Sequence, residues 1–263
     1  MEKYTLLNLE NKKFNIYGTF GANLSSKGML YKWTATLNNQ LIYIKTGVRY
    51  RNTYSNIQPI TEALVSDILD TLDINHVEYY YTKLEKDDKI FDVCYSYDFA
   101  KDSRYITMRE FVGNSDLDLY TYLIKELNVN KRELDTMIIV DFIINNIDRH
   151  LRNFGMLEDE SKNLTFAPLF DHGFSLYGDK SDEELQLDSP EDLELVDDCK
   201  PFKNSHYEQI KLVSDIHLKV NLSELLKIVD SYRDLLKPHR INCIKYLLKL
   251  RIEYLIERGV LYE

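Results

Sequence analysis

Alternating polar and apolar residues predict strands in the first part of the chain. The pattern covers 13–20 (KFNIYGTF), 30–37 (LYKWTATL) and 40–45 (QLIYIK), and a period of two is typical of strands with one buried face. Asn38-Asn39 separates the last two strands, which predicts a tight hairpin turn. Pro59 suits the first turn of a helix, and one helical face then carries the apolar residues at 60, 64, 65, 68, 69 and 72.

The rest of the chain changes from a strand period to a helical period at Gly113. Further strands are predicted at 77–84, 91–99 and 105–112, and a short strand pair ends at 164–170. Helices are predicted at 117–127, 133–145, 223–236 and 242–258, with Pro238 ending the third and Gly259 the fourth. We therefore expect an α+β protein with two lobes, a β-rich lobe with one helix over 1–112 and a mostly helical lobe over 113–263.

Composition narrows the class of protein. Of 263 residues, 44% are hydrophobic and 29% charged, which is typical of a globular chain and too apolar for a disordered one. The longest apolar stretch, 136–147, is too short to span a bilayer and is interrupted by Asp141. The start lacks a secretory signal, and three scattered cysteines form no CxxC pair. We expect a cytoplasmic protein without a membrane partner.

Negative charge is concentrated in one segment. The net charge of −10 argues against direct binding of nucleic acid through phosphate neutralisation. Residues 179–198 contain ten Asp or Glu and one Lys, so this segment carries −9 and the remainder is nearly neutral. The segment is either a solvated loop or a docking surface for a basic partner.

The main chemical signal is a pair of acidic motifs. Asp148 is followed five residues later by Asn153 in DRHLRN, and Asp171 lies in PLFDHG. Phosphoryl transfer from ATP needs a carboxylate that orients and deprotonates the attacking hydroxyl, and oxygen ligands for Mg²⁺. Asp148 is the candidate catalytic base, and Asn153 and Asp171 are the candidate metal ligands. The alternative is that Asp148 caps a helix and His150 is a buried structural histidine.

Residues of the first lobe fit the same chemistry. Lys45 ends the third strand and is placed to bind the α- and β-phosphates, and Glu62 on the following helix is its expected ion-pair partner. Taken alone, Lys45 is also explained as a solvated lysine and Glu62 as a first-turn glutamate. The two motifs and these two residues follow one another in the order that a kinase requires.

A small-residue loop lies between the first two of these strands. The loop at 18–28 (GTFGANLSSKG) offers backbone N–H groups that can form an anion nest, and Ser25, Ser26 and Lys27 are candidate phosphate contacts. A plain hairpin turn is the alternative. Adenine is expected against backbone groups around Glu110 and Val112.

Taken together, these residues resemble the HipA-like Ser/Thr kinases of bacteria. The resemblance covers most of the chain and is sharpest over NNIDRHLRNFGML and FAPLFDHGFSL, at 145–157 and 166–176. It implies a two-lobed protein-kinase-like fold, ATP and Mg²⁺ as cofactors, and transfer of the γ-phosphate to a protein hydroxyl. It also implies Asp148 as base, Asn153 and Asp171 as metal ligands, Lys45 on the phosphates, and Glu110 and Val112 at the adenine; His150 is grouped with the nucleotide-binding residues.

The sequence departs from this family in two places. The larger HipA toxins have an additional N-terminal subdomain, whereas this chain begins almost at the kinase lobe, so an antitoxin-like partner is left open. The small-residue loop reads Ser25-Ser26-Lys27-Gly28 instead of the common S-G-x-Q-x-K form. Family members phosphorylate a serine in this loop, and by position Ser25 and Ser26 are the candidates for autophosphorylation.

Three other functions are compatible with the motifs. Phosphatidylinositol kinases also use D-R-H-x-x-N and D-x-G, although an acidic segment after Asp171 would repel an anionic membrane and attract a basic protein or peptide. Small-molecule phosphotransferases usually have a histidine where Asn146 stands here. A kinase-shaped module that binds ATP without turnover is the third alternative.

Overall fold

A computed structural model describes residues 2–7, 13–19, 30–50, 53–86, 88–186, 189 and 197–263. Residues 2–7, 13–19, 50 and 53–54 are described by their backbone only. Within this part of the chain, no helix combines the length and the apolar character needed to cross a membrane.

The first lobe is built around an antiparallel barrel. Its described strands are β1 (Glu2–Leu7), β2 (Lys13–Thr19), β3 (Lys32–Leu37), β4 (Gln40–Thr46), β7 (Tyr80–Lys86) and β8 (Lys89–Tyr97), closed in the order β1-β2-β3-β4-β8-β7. Two short strands, β5 (Arg49–Tyr50) and β6 (Thr53–Tyr54), pair with each other outside it. Strand β1 was not predicted from the sequence.

The predicted hairpin between β3 and β4 is confirmed. Leu37 pairs with Gln40, and the two intervening residues, Asn38 and Asn39, have φ values of 51° and 63°. Positive φ at both positions is the requirement of the turn that matches strand twist. On these strands Trp33, Ala35, Leu37, Ile42 and Ile44 form a small core with Leu84 and Val93.

The helix of the first lobe, α1 (Ile57–Thr71), begins two residues before Pro59. Proline is still accommodated, because the first-turn N–H groups have no partner within the helix. Twelve of the 15 residues of α1 are buried. Its apolar side chains belong to the large core of the second lobe and not to the core of the barrel.

The second lobe is mostly helical, with a small sheet at its edge. Its described helices are α2 (Met108–Phe111), α3 (Leu119–Lys125), α4 (Lys131–Ile144), α5 (Asp182–Leu185), α6 (His206–Gln209), α7 (Leu222–Ser231) and α8 (Pro238–Glu257). The sheet has the order β11-β10-β9, from β9 (Arg104–Thr107), β10 (Gly155–Glu158) and β11 (Leu164–Phe166). A parallel pair, β12 (Leu218–Lys219) and β13 (Leu261–Tyr262), lies near the C-terminus.

Two predicted elements were wrong in their extent. The strand expected over 105–112 ends at Thr107, because Thr107 and Glu110 form a reciprocal capping box that starts α2. Pro238 does not end the preceding helix, which stops at Ser231. Instead Pro238 occupies the first turn of α8, where its fixed φ suits the helix.

Candidate active site

The loop after α4 places Asp148 at the surface of the second lobe. The helix ends at Asn145 in a left-handed conformation, with φ of 51°. Asn146 then connects the loop to the helix: its Nδ2 donates to Asp141 at 2.9 Å, and its Oδ1 accepts from the Asp148 N–H at 3.1 Å. The Asp148 side chain is 32% exposed. The Asp148 carboxylate thus lies on a loop fixed by Asn146 and is partly open to solvent.

Arg149 is fully buried and joins the two acidic motifs. Its guanidinium forms an ion pair with Asp141 of α4 at 2.9 Å. One nitrogen, NH1, donates to the carbonyl oxygens of both Asn153 at 2.8 Å and Phe170 at 2.6 Å. Because a single nitrogen holds both carbonyls, the DRHLRN and PLFDHG loops are fixed side by side. Sequence reasoning missed this role, although Arg149 stands inside the main motif.

Asn153 lies beneath the loop that carries Asp148. It is 6% exposed, and its side-chain Nδ2 donates to the carbonyl oxygen of Asp148 at 3.0 Å. This bond orients the amide, so its Oδ1 is the atom that the residue can offer a cation. Amide and carboxylate oxygens are hard ligands of the kind that Mg²⁺ prefers.

Lys45, Glu62 and Asp171 meet in one ion cluster, which includes the expected ion pair between Lys45 and Glu62. The Lys45 ammonium donates to Glu62 Oε1 and, at 2.6 Å, to Asp171 Oδ1. Glu62 is 1% exposed, and its second oxygen accepts from the backbone N–H of His172 at 2.9 Å. Residues 126 positions apart are therefore connected through strand β4, helix α1 and the loop after β11.

The charges in this cluster shift one another's protonation. Burial alone would lower the pKa of Lys45, but Asp171 and Glu62 outweigh it and raise that pKa well above its ordinary value. Burial likewise opposes the charged form of Asp171, yet Lys45 and Lys32 lower the pKa of this carboxyl. For Glu62 burial dominates and raises the pKa. Lys45 and Asp171 are thus held charged at neutral pH.

Asp171 also has a strained backbone. Its φ of 62° lies in the left-handed region, which a non-glycine residue adopts at a cost of about 1 kcal/mol or more. The preceding residues are held by the bridge between His76 and Leu169, in which the Val77 N–H donates to the Leu169 carbonyl at 2.9 Å. Such strain persists where the surroundings fix a side chain in place.

Three aromatic rings lie beside Asp171 at the connection between the lobes. Phe99 follows β8, Tyr105 lies on β9, and Phe170 directly precedes Asp171. The ring centroids are 5.5 Å apart in each pair, with Phe99 and Phe170 stacked. No sequence pattern marks this cluster, because its members come from three separate segments.

Glu110 and Val112, the predicted adenine contacts, have their backbone N–H groups bonded within a helical turn. Both residues belong to the end of α2 and its cap. The Glu110 N–H donates to Thr107 Oγ1 at 3.2 Å, and the Val112 N–H donates to the Met108 carbonyl at 3.0 Å. These donors are already used within the helical turn, so they are not open to a purine base.

The remaining predicted residues are His150 and three residues of the small-residue loop. His150 is 42% exposed, and its Nε2 lies 3.9 Å from Asp148 Oδ2, so it is a surface residue and not a buried structural histidine. Ser25, Ser26 and Lys27 lie outside the described residues.

The predicted metal ligands, Asn153 and Asp171, offer oxygen donors only. Among the described residues, no group of three or more His, Cys, Asp or Glu side chains is placed to hold a metal ion. The Asn153 amide oxygen and the Asp171 carboxylate are hard oxygen donors of the kind that Mg²⁺ prefers, and an ion held by these two residues would need further oxygen ligands from outside the chain.

The buried His172 contacts Arg149 on the protein side of the site. His172 is completely buried, and its Nδ1 accepts from Arg149 at 3.1 Å. Its Nε2 has no hydrogen-bond partner among the described residues. Burial, with Arg149 nearby, lowers the pKa of His172 well below its ordinary value, so the imidazole is neutral.

The fold and this arrangement define the class of protein: a two-lobed, kinase-like α+β fold, as predicted. No protein-family description matches the sequence, and no curated protein matches it. Among solved structures, the chain is similar to the proinflammatory kinase CtkA of Helicobacter pylori, with a TM-score of 0.63 and 17% identity over 87% of this chain and 92% of that one. It also matches HipA in a toxin–antitoxin complex with HipB and operator DNA from Shewanella oneidensis MR-1, with a TM-score of 0.45 and 13% identity over 88% of this chain and 65% of that one. The kinase-like fold implied by the motifs is confirmed by the first of these structures.

Proposed function

We propose that the chain is an ATP-dependent Ser/Thr protein kinase of the HipA-like family. The observation that most directly supports this proposal is the Lys45–Glu62–Asp171 ion cluster. Arg149 connects this cluster to the loop of Asp148 and Asn153 by donating to the carbonyls of Asn153 and Phe170. Phosphoryl transfer depends on positioning and charge stabilisation. The cluster supplies an ammonium at Lys45 and a carboxylate for a cation at Asp171, and the adjoining loop supplies the Asp148 carboxylate for a hydroxyl.

Each residue then has a separate task. Lys45 binds the α- and β-phosphates while Glu62 holds its ammonium in place. Asn153 Oδ1 and the Asp171 carboxylate would hold Mg²⁺, which would supply positive charge for the phosphates. Asp148 accepts the proton of a Ser or Thr hydroxyl as that oxygen bonds to the γ-phosphorus and ADP departs. Arg149 holds the DRHLRN and PLFDHG loops side by side during this step.

Adenine is proposed to stack near Phe99, Tyr105 and Phe170 instead of binding at Glu110 and Val112. An aromatic surface beside Asp171 offers area for a purine, and the 98–103 turn that follows β8 connects the barrel to the second lobe. Tyr105→Ala should weaken ATP binding, whereas Lys162→Ala, at a lysine that is 75% exposed, should leave it unchanged.

The acidic segment contributes less surface charge than its composition suggests. Asp182 is paired with Arg240 at 2.7 Å, and Asp197 accepts from the His206 N–H and contacts Ser205. Attraction of a basic protein or peptide therefore rests mainly on the acidic residues between positions 183 and 194. A cytoplasmic location, an antitoxin-like partner and autophosphorylation of Ser25 or Ser26 belong to the same proposal.

The direct test is transfer of ³²P from [γ-³²P]ATP with Mg²⁺. We expect the purified chain to label itself or myelin basic protein on Ser or Thr, and not phosphatidylinositol vesicles. Asp148→Asn should reduce transfer at least about 10³-fold with ATP binding retained. Asp171→Ala should weaken Mg²⁺-dependent ATP binding as well.

The outcomes separate the alternatives. Labelling of the lipid and not of protein would favour a lipid kinase. ATP binding without any transfer would favour a non-catalytic module, and wild-type transfer by Asp148→Asn would remove the assignment of the base. Lys162→Ala, which removes a lysine that is 75% exposed, is the control variant.

A further inference from the structure

A lysine from outside both motifs contacts the proposed catalytic base. Lys200 Nζ lies 2.8 Å from Asp148 Oδ1, although the residues are 52 positions apart. The other carboxylate oxygen, Oδ2, is 3.9 Å from His150 Nε2. Asp148 is therefore held through one oxygen, and the second is the one left for a substrate hydroxyl.

The backbone of Lys200 is fixed by a buried side chain. Gln209 of α6 is 1% exposed, and its Nε2 donates to the Lys200 carbonyl at 3.1 Å. Its Oε1 accepts from the N–H groups of Phe202 at 2.9 Å and Lys203 at 3.2 Å. One buried amide thus binds the chain at three points next to Lys200.

The same loop is attached to the core on its other side. The Phe202 ring packs edge-on against Tyr120 with centroids 5.4 Å apart, and the Cys199 N–H donates to the Asn204 carbonyl at 3.2 Å. An ion pair between mobile surface side chains contributes little to stability. Here the backbone of the loop is anchored by the buried Gln209 and Cys199, and the exposed Lys200 places its ammonium on Asp148.

Arg149, the residue next to Asp148, does not place its positive charge on the Asp148 carboxylate. Arg149 is fully buried and directed at Asp141 and two backbone carbonyls. Negative charge is spread over the transferred phosphoryl group during transfer, and a fixed cation nearby stabilises it. The Lys200 side chain is 53% exposed, and its ammonium contacts the Asp148 carboxylate.

We infer that Lys200 is a positioning residue for phosphoryl transfer. It holds Asp148 Oδ1 so that Oδ2 takes the hydroxyl proton as the oxygen–γ-phosphorus bond forms and the bond from γ-phosphorus to the β–γ bridging oxygen breaks, releasing ADP. This inference rests on the proposed kinase function and extends it by one residue that no motif contains.

The test compares Lys200→Ala, Lys200→Arg and Lys211→Ala. Lys211 forms an exposed ion pair with Glu208 and has the same 53% exposure as Lys200, so it is a matched control. With myelin basic protein and [γ-³²P]ATP, we expect Lys200→Ala to lower kcat about 10²-fold. The KM for ATP and the melting temperature should stay close to wild type, and Lys200→Arg should recover most of the rate.

A double variant separates positioning from a structural role. If Lys200 acts through Asp148, Lys200→Ala should cause no further loss in an Asp148→Asn background, because the two residues act as a unit. Unchanged or increased kcat in Lys200→Ala, or an equal loss in Lys211→Ala, would overturn the inference while leaving the kinase proposal intact. Absence of transfer by the wild-type chain would overturn both.

Discussion

The buried pair of Asp141 and Arg149 gives the sharpest prediction about stability. Both side chains have 0% exposure, and the guanidinium also holds the carbonyls of Asn153 and Phe170. Burial raises the pKa of the Asp141 carboxyl, although Arg149 and Asn146 act to lower that pKa. The cost of removing the Asp141 charge from water is therefore large. Asp141→Asn keeps the shape of the side chain and removes its charge.

The expected loss follows from leaving a guanidinium buried without its counterion. Removing one partner of a buried ion pair costs about 3–5 kcal/mol, whereas an exposed pair contributes about 0.2–1 kcal/mol. Since about 1 kcal/mol shifts the melting temperature of a domain of comparable size by about 2–4 °C, Asp141→Asn should melt about 6–20 °C lower. Lys162→Ala, at an exposed pair with Glu158, should shift it by less than about 4 °C.

The assay is urea unfolding followed by circular dichroism, together with thermal melts, for wild type, Asp141→Asn, Arg149→Met and a double variant, Asp141→Leu with Arg149→Met. The double variant should be less destabilised than the sum of the singles, because neither charge is then left alone. If Asp141→Asn lost less than about 1 kcal/mol, similar to the surface control, the reasoning about the buried charge would be refuted.

Three further predictions concern other parts of the site. Glu62→Gln should lower kcat/KM for ATP about tenfold or more without unfolding the chain, because Lys45 loses its buried partner on α1 and keeps only the ion pair with Asp171; steady-state kinetics and a melt measure the two effects. Gly155→Ala should lower the melting temperature by several degrees, because an added Cβ would lie 2.1 Å from the Ile106 carbonyl oxygen and push β9 from β10. Burial lowers the pKa of His206 to about 3, so between pH 6.5 and 3 the unfolded chain binds the proton that the folded chain excludes. Stability should fall by up to about 1.4 kcal/mol per pH unit as pH drops through this range, and His206→Gln should flatten the slope in urea titrations at pH 7, 6 and 5.

The sequence predicted those parts of the site that follow from local pattern and fixed spacing. Lys45 ends a strand in an alternating pattern, and Glu62 lies on a helix marked by its apolar face, so both elements are readable from short windows. Asp148 and Asn153 are set five residues apart on one loop. The order of these residues then restricts which fold can bring them together, and the structure places Lys45, Glu62 and Asp171 in contact.

The missed features depend on long-range packing. Glu110 and Val112 were expected at the adenine because 105–112 reads as a strand, but a capping box at Thr107 converts its second half to a helical turn. Phe99 and Lys200 belong to no local motif, and only the folded chain places them beside Asp171 and Asp148. The buried role of Arg149 was hidden because a motif arginine is usually expected to face solvent or substrate.

The packing of α1 explains why the ion cluster is held in one arrangement. In kinases the helix that bears the glutamate partner of the lysine often controls activity by its position. Here twelve of the 15 residues of α1 are buried, and its apolar face lies in the core of the second lobe together with α4 and α8. Gln58 of the same helix accepts from the Val48 N–H at 3.1 Å and donates to the Gly178 carbonyl.

Moving α1 outward would therefore expose a large part of the main core, at about 25 cal/mol for each Å² of apolar surface. Glu62 is in effect part of the second lobe, whereas Lys45 is on the barrel. The ion pair between them connects the barrel to a rigid body that already contains Asp171 and Arg149. Regulation of such a site would have to act through the barrel and its loops, because the helix that carries Glu62 cannot leave without unfolding the lobe that it stabilises.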